Sequence, residues 1–188
     1  MAFFFKNNPQ VSYDVQKNGI PRTVQNPLVR FKLQEILKNR TAIYYTHDIT
    51  EGQSVEFIAD RYYGDSTLDW VIYITNDIID PQYDLPLDYQ EFVAFVRSKY
   101  GSTESALNTV HHYEHIIQTQ SVLFDGTIVP EKTITVDLTT YNSLVATDRR
   151  EVSNFTYEEK LNDSKRTIKV LHADYVVDLI NEAESIFE

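Results

Sequence analysis

The 188-residue sequence has no cysteine, only five glycines, and no apolar run of the roughly 18 to 20 residues that a helix needs to cross a bilayer. The missing cysteines exclude disulfides and thiolate metal sites. No glycine-rich phosphate loop or nucleophile elbow is recognisable among so few glycines. The opening MAFFFKNNPQ has neither the basic start nor the long apolar stretch of a signal peptide, so we expect folding in a cytoplasm and no membrane partner.

Basic residues are also too few for a nucleic-acid-binding protein. Seventeen Lys and Arg face 28 Asp and Glu, a formal net charge of −11, whereas nucleic-acid binding draws on a basic surface that releases counterions. The deficit is uneven, because residues 1–40 carry +5 and the remaining chain carries −16. The basic segment therefore either lies on the chain's own acidic body or contacts an acidic partner.

What the sequence does contain is enough apolar material for a core, with 42% hydrophobic and 13% aromatic residues. Residues 1–40 have little periodicity, apart from a short helical pattern in VRFKLQEILKN, and are rich in turn formers. We interpret them as an extended N-terminal arm. Its Phe3, Phe4 and Phe5 are either a frayed terminus or an anchor in a partner's groove.

Residues 41–85 predict a strand followed by two helices. The strand is AIYY, Ala42–Tyr45, and Gly52 permits the turn into a helix that Ser54 caps and Gly64 ends. One face of this helix carries the apolar stripe Val55, Ile58, Ala59 and Tyr62.

The second helix, about Leu68 to Asn76, is apolar almost all round. One side holds Leu68, Val71, Ile72 and Thr75, and the opposite side holds Trp70, Tyr73 and Ile74. A single strand–helix–helix unit covers only one of these sides. We expect the Trp70 side to be covered by the C-terminal part of the chain, by a protein partner, or by both, with Trp70 internal and the Tyr73 hydroxyl reaching a partner.

Residues 86–188 predict a C-terminal portion of mixed helix and strand. Asp88 caps a helix that Gly101 ends, while GSTESALNTV fits a loop or a helix equally well. Further along, the patterns predict strands at Tyr113–Gln118, Val122–Phe124, Thr133–Leu138 and RTIKVL, with a hairpin turn at Asp125-Gly126. The terminal helix is amphipathic, with apolar positions Val176, Leu179, Ile180, Ala183 and Phe187. The predicted class is α+β in three parts, 1–40, 41–85 and 86–188.

Two stretches resemble known families. YYTHDITEGQSVEFIADRYYGD, followed by a helix ending in Asn76, is similar to a LysM module, with Gln53 in place of the usual Asp of its turn. The wider YYGDSTLDWVIYITNDIIDPQYDLPLDYQEF, together with YEEKLNDSKRTIKVLHADYVVDLINE, resembles the LysM-like baseplate wedge subunit of contractile-tailed (myovirus) bacteriophages. The residues that match the wedge pattern are Tyr63, Gly64, Trp70, Asn76, Asp77, Asp80, Pro81, Tyr83, Asn162, Lys165, Arg166, Ile168 and Leu171.

This resemblance implies a structural virion protein without catalysis, cofactor or small-molecule substrate. It would sit in the tail baseplate, assembled in the host cytoplasm, and clamp neighbouring wedges around the central hub by contacting other wedge proteins. The candidate partner-binding residues are Phe3, Phe4, Phe5, Trp70, Tyr73, Asn76, Asp77, Tyr83, Lys165 and Arg166. For Lys165 and Arg166 the alternative is local pairing with Glu158, Glu159 or Asp163.

Enzyme signals are weaker than their structural alternatives. His111, Glu114 and His115 fit H-x-x-E-H, a zinc-protease pattern that requires a helix, but YEHIIQTQSVLF favours a strand, in which His111 and His115 lie roughly 13 Å apart. Asp77, Asp80, Asp84 and Asp88 match no calcium loop and fit ordinary turn chemistry. We therefore predict no metal site.

The alternative function is LysM-type binding of peptidoglycan, through its N-acetylglucosamine chains. The segments that would grip the glycan are Gly52–Val55 and 76–79. The single copy of the pattern and the large C-terminal portion argue against this alternative.

Overall fold

The chain leaves its first structural unit after Pro86 and returns to it at Lys165. The computed structural model describes residues 8–26 and 41–185. Unit 1 comprises the described residues up to Pro86 and those from Lys165 onward, and unit 2 is Leu87–Ser164. The last strand and helix thus lie in the same unit as residues 41–85, whereas the sequence-based division placed them with the rest of 86–188.

The described strands and helices come in runs along the chain and alternate only from Lys132 onward. The strands are β1 (Gln10–Tyr13), β2 (Arg22–Gln25), β3 (Tyr44–Asp48), β4 (Val110–Gln118), β5 (Ser121–Val122), β6 (Ile128–Val129), β7 (Lys132–Val136), β8 (Arg149–Ser153) and β9 (Thr167–Leu171). The α-helices are α1 (Val55–Tyr63), α2 (Asp69–Thr75), α3 (Pro81–Asp84), α4 (Tyr89–Tyr100), α5 (Thr103–Asn108), α6 (Leu138–Ser143), α7 (Asn154–Asp163) and α8 (Ala173–Ser185). Every strand pair is antiparallel, so the described residues form an α+β structure.

The segment interpreted as an arm contains an ordered hairpin. β1 and β2 pair from Gln10↔Gln25 to Tyr13↔Arg22. The carboxylate of Asp14 closes the connecting loop by accepting hydrogen bonds from the backbone N–H groups of Asn18 at 3.1 Å and Gly19 at 2.6 Å. Residues 27–40, with the whole of the predicted VRFKLQEILKN helix, and Phe3, Phe4 and Phe5 lie outside the described residues.

The core of unit 1 forms where β9 pairs with β3, in register from Tyr44↔Leu171 to Asp48↔Thr167. Two apolar clusters result. One holds Ile49, Val55, Ile58, Ala59, Ile72, Ile168 and Val170. The other holds Val71, Leu171, Val176 and Leu179. Helix α2 therefore has an apolar cluster on each of two sides, which explains its nearly all-round apolar sequence.

The local signals for α1 are confirmed. Ser54 Oγ accepts a hydrogen bond from the Phe57 N–H at 3.3 Å, and Gly64 adopts φ 71° at the C-cap. The preceding strand was misplaced, however. AIYY begins with a 3₁₀ turn at Thr41–Ile43, and β3 runs on through Tyr44–Asp48, because pairing with β9 extends the strand into polar residues.

Unit 2 is built on the three-stranded sheet β7-β4-β8. Beside it, Phe92 and Val96 of α4 and Ala106 of α5 form a buried cluster, and the Phe92 ring meets Phe155 edge-on at 5.4 Å. The sequence predicted α4 and β4, left α5 undecided and did not identify α6, β8 or α7. The RREVS of β8 has no apolar alternation, so its strand depends on pairing with β4 from Val110↔Ser153 to His115↔Arg149.

Candidate partner-binding surface

Trp70 and Tyr73 lie on α2 and are both half-buried. Trp70 packs against the cluster of Val71, Leu171, Val176 and Leu179, so the C-terminal strand and helix cover it, as the sequence predicted for one of its alternatives. Tyr73 packs against the cluster that contains Ile58 and Ile72. Burial, followed by the charges of Glu56 and Asp69, raises the pKa of Tyr73 to about 12, so its hydroxyl keeps its proton at neutral pH.

Asn76 uses its side chain inside unit 1. Its Nδ2 donates to the carbonyl of Lys169 at 2.7 Å and to that of Ile72 at 2.9 Å, and its Oδ1 accepts from the Lys169 N–H at 2.8 Å. The amide thus binds both backbone groups of one β9 residue. Asp77, the next residue, is exposed and has φ 56°, a left-handed conformation that ends α2 and that Asp tolerates better than most residues.

The two predicted basic residues hold the returning chain in place. Lys165 Nζ donates to the carbonyl of Tyr83. Arg166 lies 3.8 Å from the Glu51 carboxylate and donates to the Ile49 carbonyl at 3.5 Å. Glu158, one of the acidic residues in the alternative of local pairing, accepts hydrogen bonds from Lys99 and Tyr100.

The predicted set therefore divides in two. Among the described residues of the set, Trp70, Tyr73, Asn76, Lys165 and Arg166 contact other parts of unit 1, whereas the side chains of Asp77 and Tyr83 are exposed. Phe57 and Ile79 of unit 1 are exposed in the same way. The available signal for Phe57 was its position outside the apolar stripe of α1, whereas Ile79 lies in a connecting segment that has no periodic pattern.

A second group of exposed apolar side chains lies in unit 2, on the hairpin between β4 and β7. Its members are Ile117, Val122, Leu123, Phe124, Ile128 and Ile134. The sequence predicted the strands and the Asp125-Gly126 turn but assigned no partner role to them. The available signal was the apolar run VLF directly beside a hairpin turn.

The H-x-x-E-H residues lie on β4, as the strand prediction required. His111 Nδ1 is 2.8 Å from His112 Nδ1, and the His111 ring stacks on Tyr157. Glu114 is buried and receives hydrogen bonds from Arg150 Nε at 2.9 Å and Nη2 at 2.6 Å. Across the described residues, no group of three His, Asp or Glu is arranged to hold a metal ion.

Glu114 is the centre of an ion-pair network. Burial raises its pKa, but the Arg150 hydrogen bonds and the charges of Lys160 and Arg150 outweigh that effect, so the pKa of Glu114 lies below its usual value. Arg150 also binds Glu131 at 2.7 Å. The partners of Glu114 lower its pKa, whereas a carboxylate that acts as a general base near neutral pH has its pKa raised toward about 7.

In unit 2 a second asparagine, Asn162, joins α7 to the start of the unit at Leu87. Asn162 Oδ1 accepts from the Leu87 N–H at 2.8 Å, and its Nδ2 donates to the Leu87 carbonyl at 3.0 Å. This repeats the arrangement of Asn76 on Lys169, in which one side-chain amide binds both backbone groups of a residue distant in sequence.

Comparison with known proteins gives one family. A family model described as base plate wedge protein 53 matches residues 3–125 of the chain, which is more than half of its 188 residues. A search of curated proteins finds no match. No helix among residues 8–26 and 41–185 has the length and apolar character needed to cross a membrane.

Proposed function

This chain belongs to the base plate wedge protein 53 family, and from that premise we propose that it clamps neighbouring wedges of a contractile phage tail around the central hub. As a member of this family it is a structural component of the tail baseplate that assembles with other baseplate proteins. The clamp role, the contractile tail and assembly in the host cytoplasm are the parts that we propose.

A clamp must hold more than one neighbour, and the observation that carries this role is that each unit exposes its own group of large apolar side chains. Unit 1 exposes Phe57, Ile79 and Tyr83, and unit 2 exposes the hairpin residues from Ile117 to Ile134. Exposed apolar groups of this kind mark protein–protein contacts. We propose that the two groups bind different proteins of the baseplate.

We further propose that unit 1 contains a LysM-like module, formed by β3, α1 and α2 and completed by β9. Its support is the order strand–helix–helix, the Gly52 turn with φ 75°, the Tyr63-Gly64 end of α1, and Asn76 at the end of α2. In this chain the module serves as a scaffold, since Trp70, Asn76, Lys165 and Arg166 bind it to the returning segment.

The peptidoglycan alternative loses its hydrogen-bonding groups in this arrangement. Asn76 commits both Nδ2 hydrogens and its Oδ1 to backbone groups. Gln53 Oε1 accepts from the Thr50 N–H and hydroxyl and lies 3.1 Å from His47 Nε2. Retention of the purified chain on peptidoglycan, in the absence of any protein partner, would favour the alternative.

The clamp role is tested by assembling wedges with and without this chain. Wedge complexes made from the other baseplate proteins are mixed with the purified chain and viewed by electron microscopy and native mass spectrometry. We expect separate wedges to join into closed rings only when the chain is added. Rings that close equally well without the chain would disprove the clamp.

A further inference from the structure

We infer that the tip of the unit 2 hairpin, formed by Val122, Leu123, Phe124 and Ile128, inserts into an apolar pocket on another baseplate protein. The inference rests on the proposed function and names the element through which unit 2 binds its partner. The four side chains are exposed, with relative accessibilities of 65% for Val122, 51% for Leu123, 109% for Phe124 and 61% for Ile128. A phenylalanine without any cover at a loop tip has no folding role that explains it.

The backbone holds these side chains in a fixed presentation. The hairpin continues from the last β4–β7 pair, Gln118↔Lys132, into the β5–β6 pairs Ser121↔Val129 and Val122↔Ile128. Beyond them the Leu123 N–H donates to the Thr127 carbonyl at 2.8 Å. Cross-strand partners share a face, so Val122 and Ile128 lie side by side.

The turn itself is also closed by hydrogen bonds. The Gly126 N–H donates to the Leu123 carbonyl at 2.9 Å, with Gly126 at φ 83°. The Asp125 Oδ1 accepts from the Thr127 N–H at 2.9 Å. An ordered tip loses little conformational entropy when it binds, which favours its use as an inserted element.

The chemistry of the tip selects a protein pocket over a lipid surface. From Ile117 to Pro130 the sole ionisable side chain is that of Asp125, whereas loops and helices that enter anionic membranes use Lys and Arg beside their apolar residues. The flanking Gln118, Thr119, Gln120 and Ser121 are uncharged hydrogen-bonding residues. They suit the polar rim that surrounds an apolar centre in a protein interface.

The size and shape of the tip select a different protein over a second copy of this chain. Four large side chains offer on the order of 500 to 600 Å², so two tips in contact would bury about 1,000 to 1,200 Å² in total, at or below the lower limit for a stable interface. Two protruding tips also fill each other poorly. A pocket covers the same side chains from all sides, and its polar rim adds further buried area.

The test measures how tightly the full-length chain binds wedge complexes assembled without it. The main variant is Phe124→Ser. The matched pair is Val122→Ser at the tip and Val145→Ser elsewhere in unit 2, since Val145 is exposed to nearly the same extent, 62%. We expect Phe124→Ser to weaken binding at least about thirtyfold, Val122→Ser to weaken it less, and Val145→Ser to bind as the unsubstituted chain does, all with melting temperatures within about 2 °C.

Each other outcome overturns a defined part of the inference. If Phe124→Ser binds as tightly as the unsubstituted chain, the tip is not the contact, although the clamp role stands. If the unsubstituted chain does not bind wedge complexes at all, the clamp role and the inference both fail. If Phe124→Ser melts early, Ile128→Ser decides the question by the same criterion.

Two further measurements test whether the tip binds a membrane or a second copy of the chain instead. Flotation with phosphatidylglycerol–phosphatidylethanolamine vesicles that retains the chain through Phe124 would assign the tip to a membrane and overturn the inference. Light scattering that shows a dimer, lost in Phe124→Ser, would assign it to a second copy and overturn it as well.

Discussion

The side-chain amide of Asn76 joins α2 to β9 by hydrogen bonds to backbone groups. Its amide satisfies the N–H and the carbonyl of Lys169 and also the carbonyl of Ile72. An aspartate at this position has the same shape but cannot donate. We expect Asn76→Asp to lower the free energy of unfolding by about 1 to 3 kcal/mol, because two carbonyls then face a carboxylate.

Denaturant titration followed by circular dichroism measures this loss. Asn162→Asp makes the same change in unit 2, where Nδ2 donates to the Leu87 carbonyl, and we expect a loss of similar size. An Asn76→Asp chain as stable as the unsubstituted one would show that these hydrogen bonds contribute nothing net.

Glu114 gives stability a defined pH dependence. Its pKa is lowered in the folded chain, and so is that of Glu158, where hydrogen bonds from Lys99 and Tyr100 outweigh the raising effect of burial. A lowered folded pKa contributes stability above the unfolded pKa of about 4.3 and loses it as the pH falls through the folded pKa. We therefore expect the free energy of unfolding to decrease as the pH is lowered below about 5.

Glu114→Gln tests this directly by removing the charge. At pH 7 we expect a loss of about 1 to 3 kcal/mol, the range for hydrogen bonds to charged groups, and a shrinking difference as the pH falls and Glu114 itself takes up a proton. Glu131→Gln is the control, since Glu131 binds the same arginine from a more exposed position, and we expect a loss under about 1 kcal/mol. A Glu114→Gln deficit that stays constant down to the acid transition would contradict this account.

At the scale of elements, α2 is stabilised from two sides, and Trp70 reports on one of them. Trp70 packs on the cluster that β9 and α8 supply. Because it is half-buried, we expect Trp70→Ala to cost about 2 to 3 kcal/mol, below the range for fully buried tryptophans, and to lower the melting temperature by about 4 to 12 °C.

Tyr83→Ala is the matched control for an exposed aromatic residue in the same unit, with an expected change within about 2 °C. Calorimetry compares the free chains of both variants, and ring assembly is measured for Trp70→Ala against the unsubstituted chain. If Trp70→Ala keeps its melting temperature yet fails to join wedges, the indole acts as a partner anchor and the packing interpretation is wrong.

Elements with their own local signals could be predicted from sequence. The Ser54 cap, Gly64, Gly101 and the Asp125-Gly126 turn each act within a few residues, and α1, α4 and the hairpin follow from them. β8 and the later half of β3 could not be predicted, because their strand conformation comes from pairing with distant segments.

In the candidate site, too, the features with a local signal could be predicted and those that depend on distant residues could not. The apolar surplus of α2 indicated that something covers Trp70, and the C-terminal cover was one of the stated alternatives. The partners of Asn76, Lys165 and Arg166 could not be read from the sequence, since Asn76 binds a residue 93 positions away and Arg166 a carbonyl 117 positions away.

At the scale of the whole molecule, the two units differ in how much of the chain they need. Unit 2 is continuous, from Leu87 to Ser164, whereas unit 1 requires Ile168, Val170 and Leu171 from β9 to complete both of its clusters. We expect a fragment of residues 87–164 to fold alone with a cooperative melting transition. A fragment of residues 41–86 should not fold.

Joining residues 41–86 to 165–185 through a short flexible linker should restore folding of the first unit. The Lys165 side chain reaches the Tyr83 carbonyl, so such a linker has little distance to cover. Circular dichroism and amide exchange compare the three fragments. A cooperatively folded 41–86 fragment would show that β9 is dispensable.

The pairing of β3 with β9 also has a consequence for biosynthesis. Asp48 and its partner Thr167 are 119 positions apart, so at about 5 to 20 residues per second a ribosome needs roughly 6 to 24 s to deliver the second strand after the first. Unit 2 is complete on the nascent chain before β9 is translated. During this interval β3 has no strand partner among the described residues, and both apolar clusters of the first unit lack their β9 residues. We therefore expect the unfinished first unit to bind a chaperone.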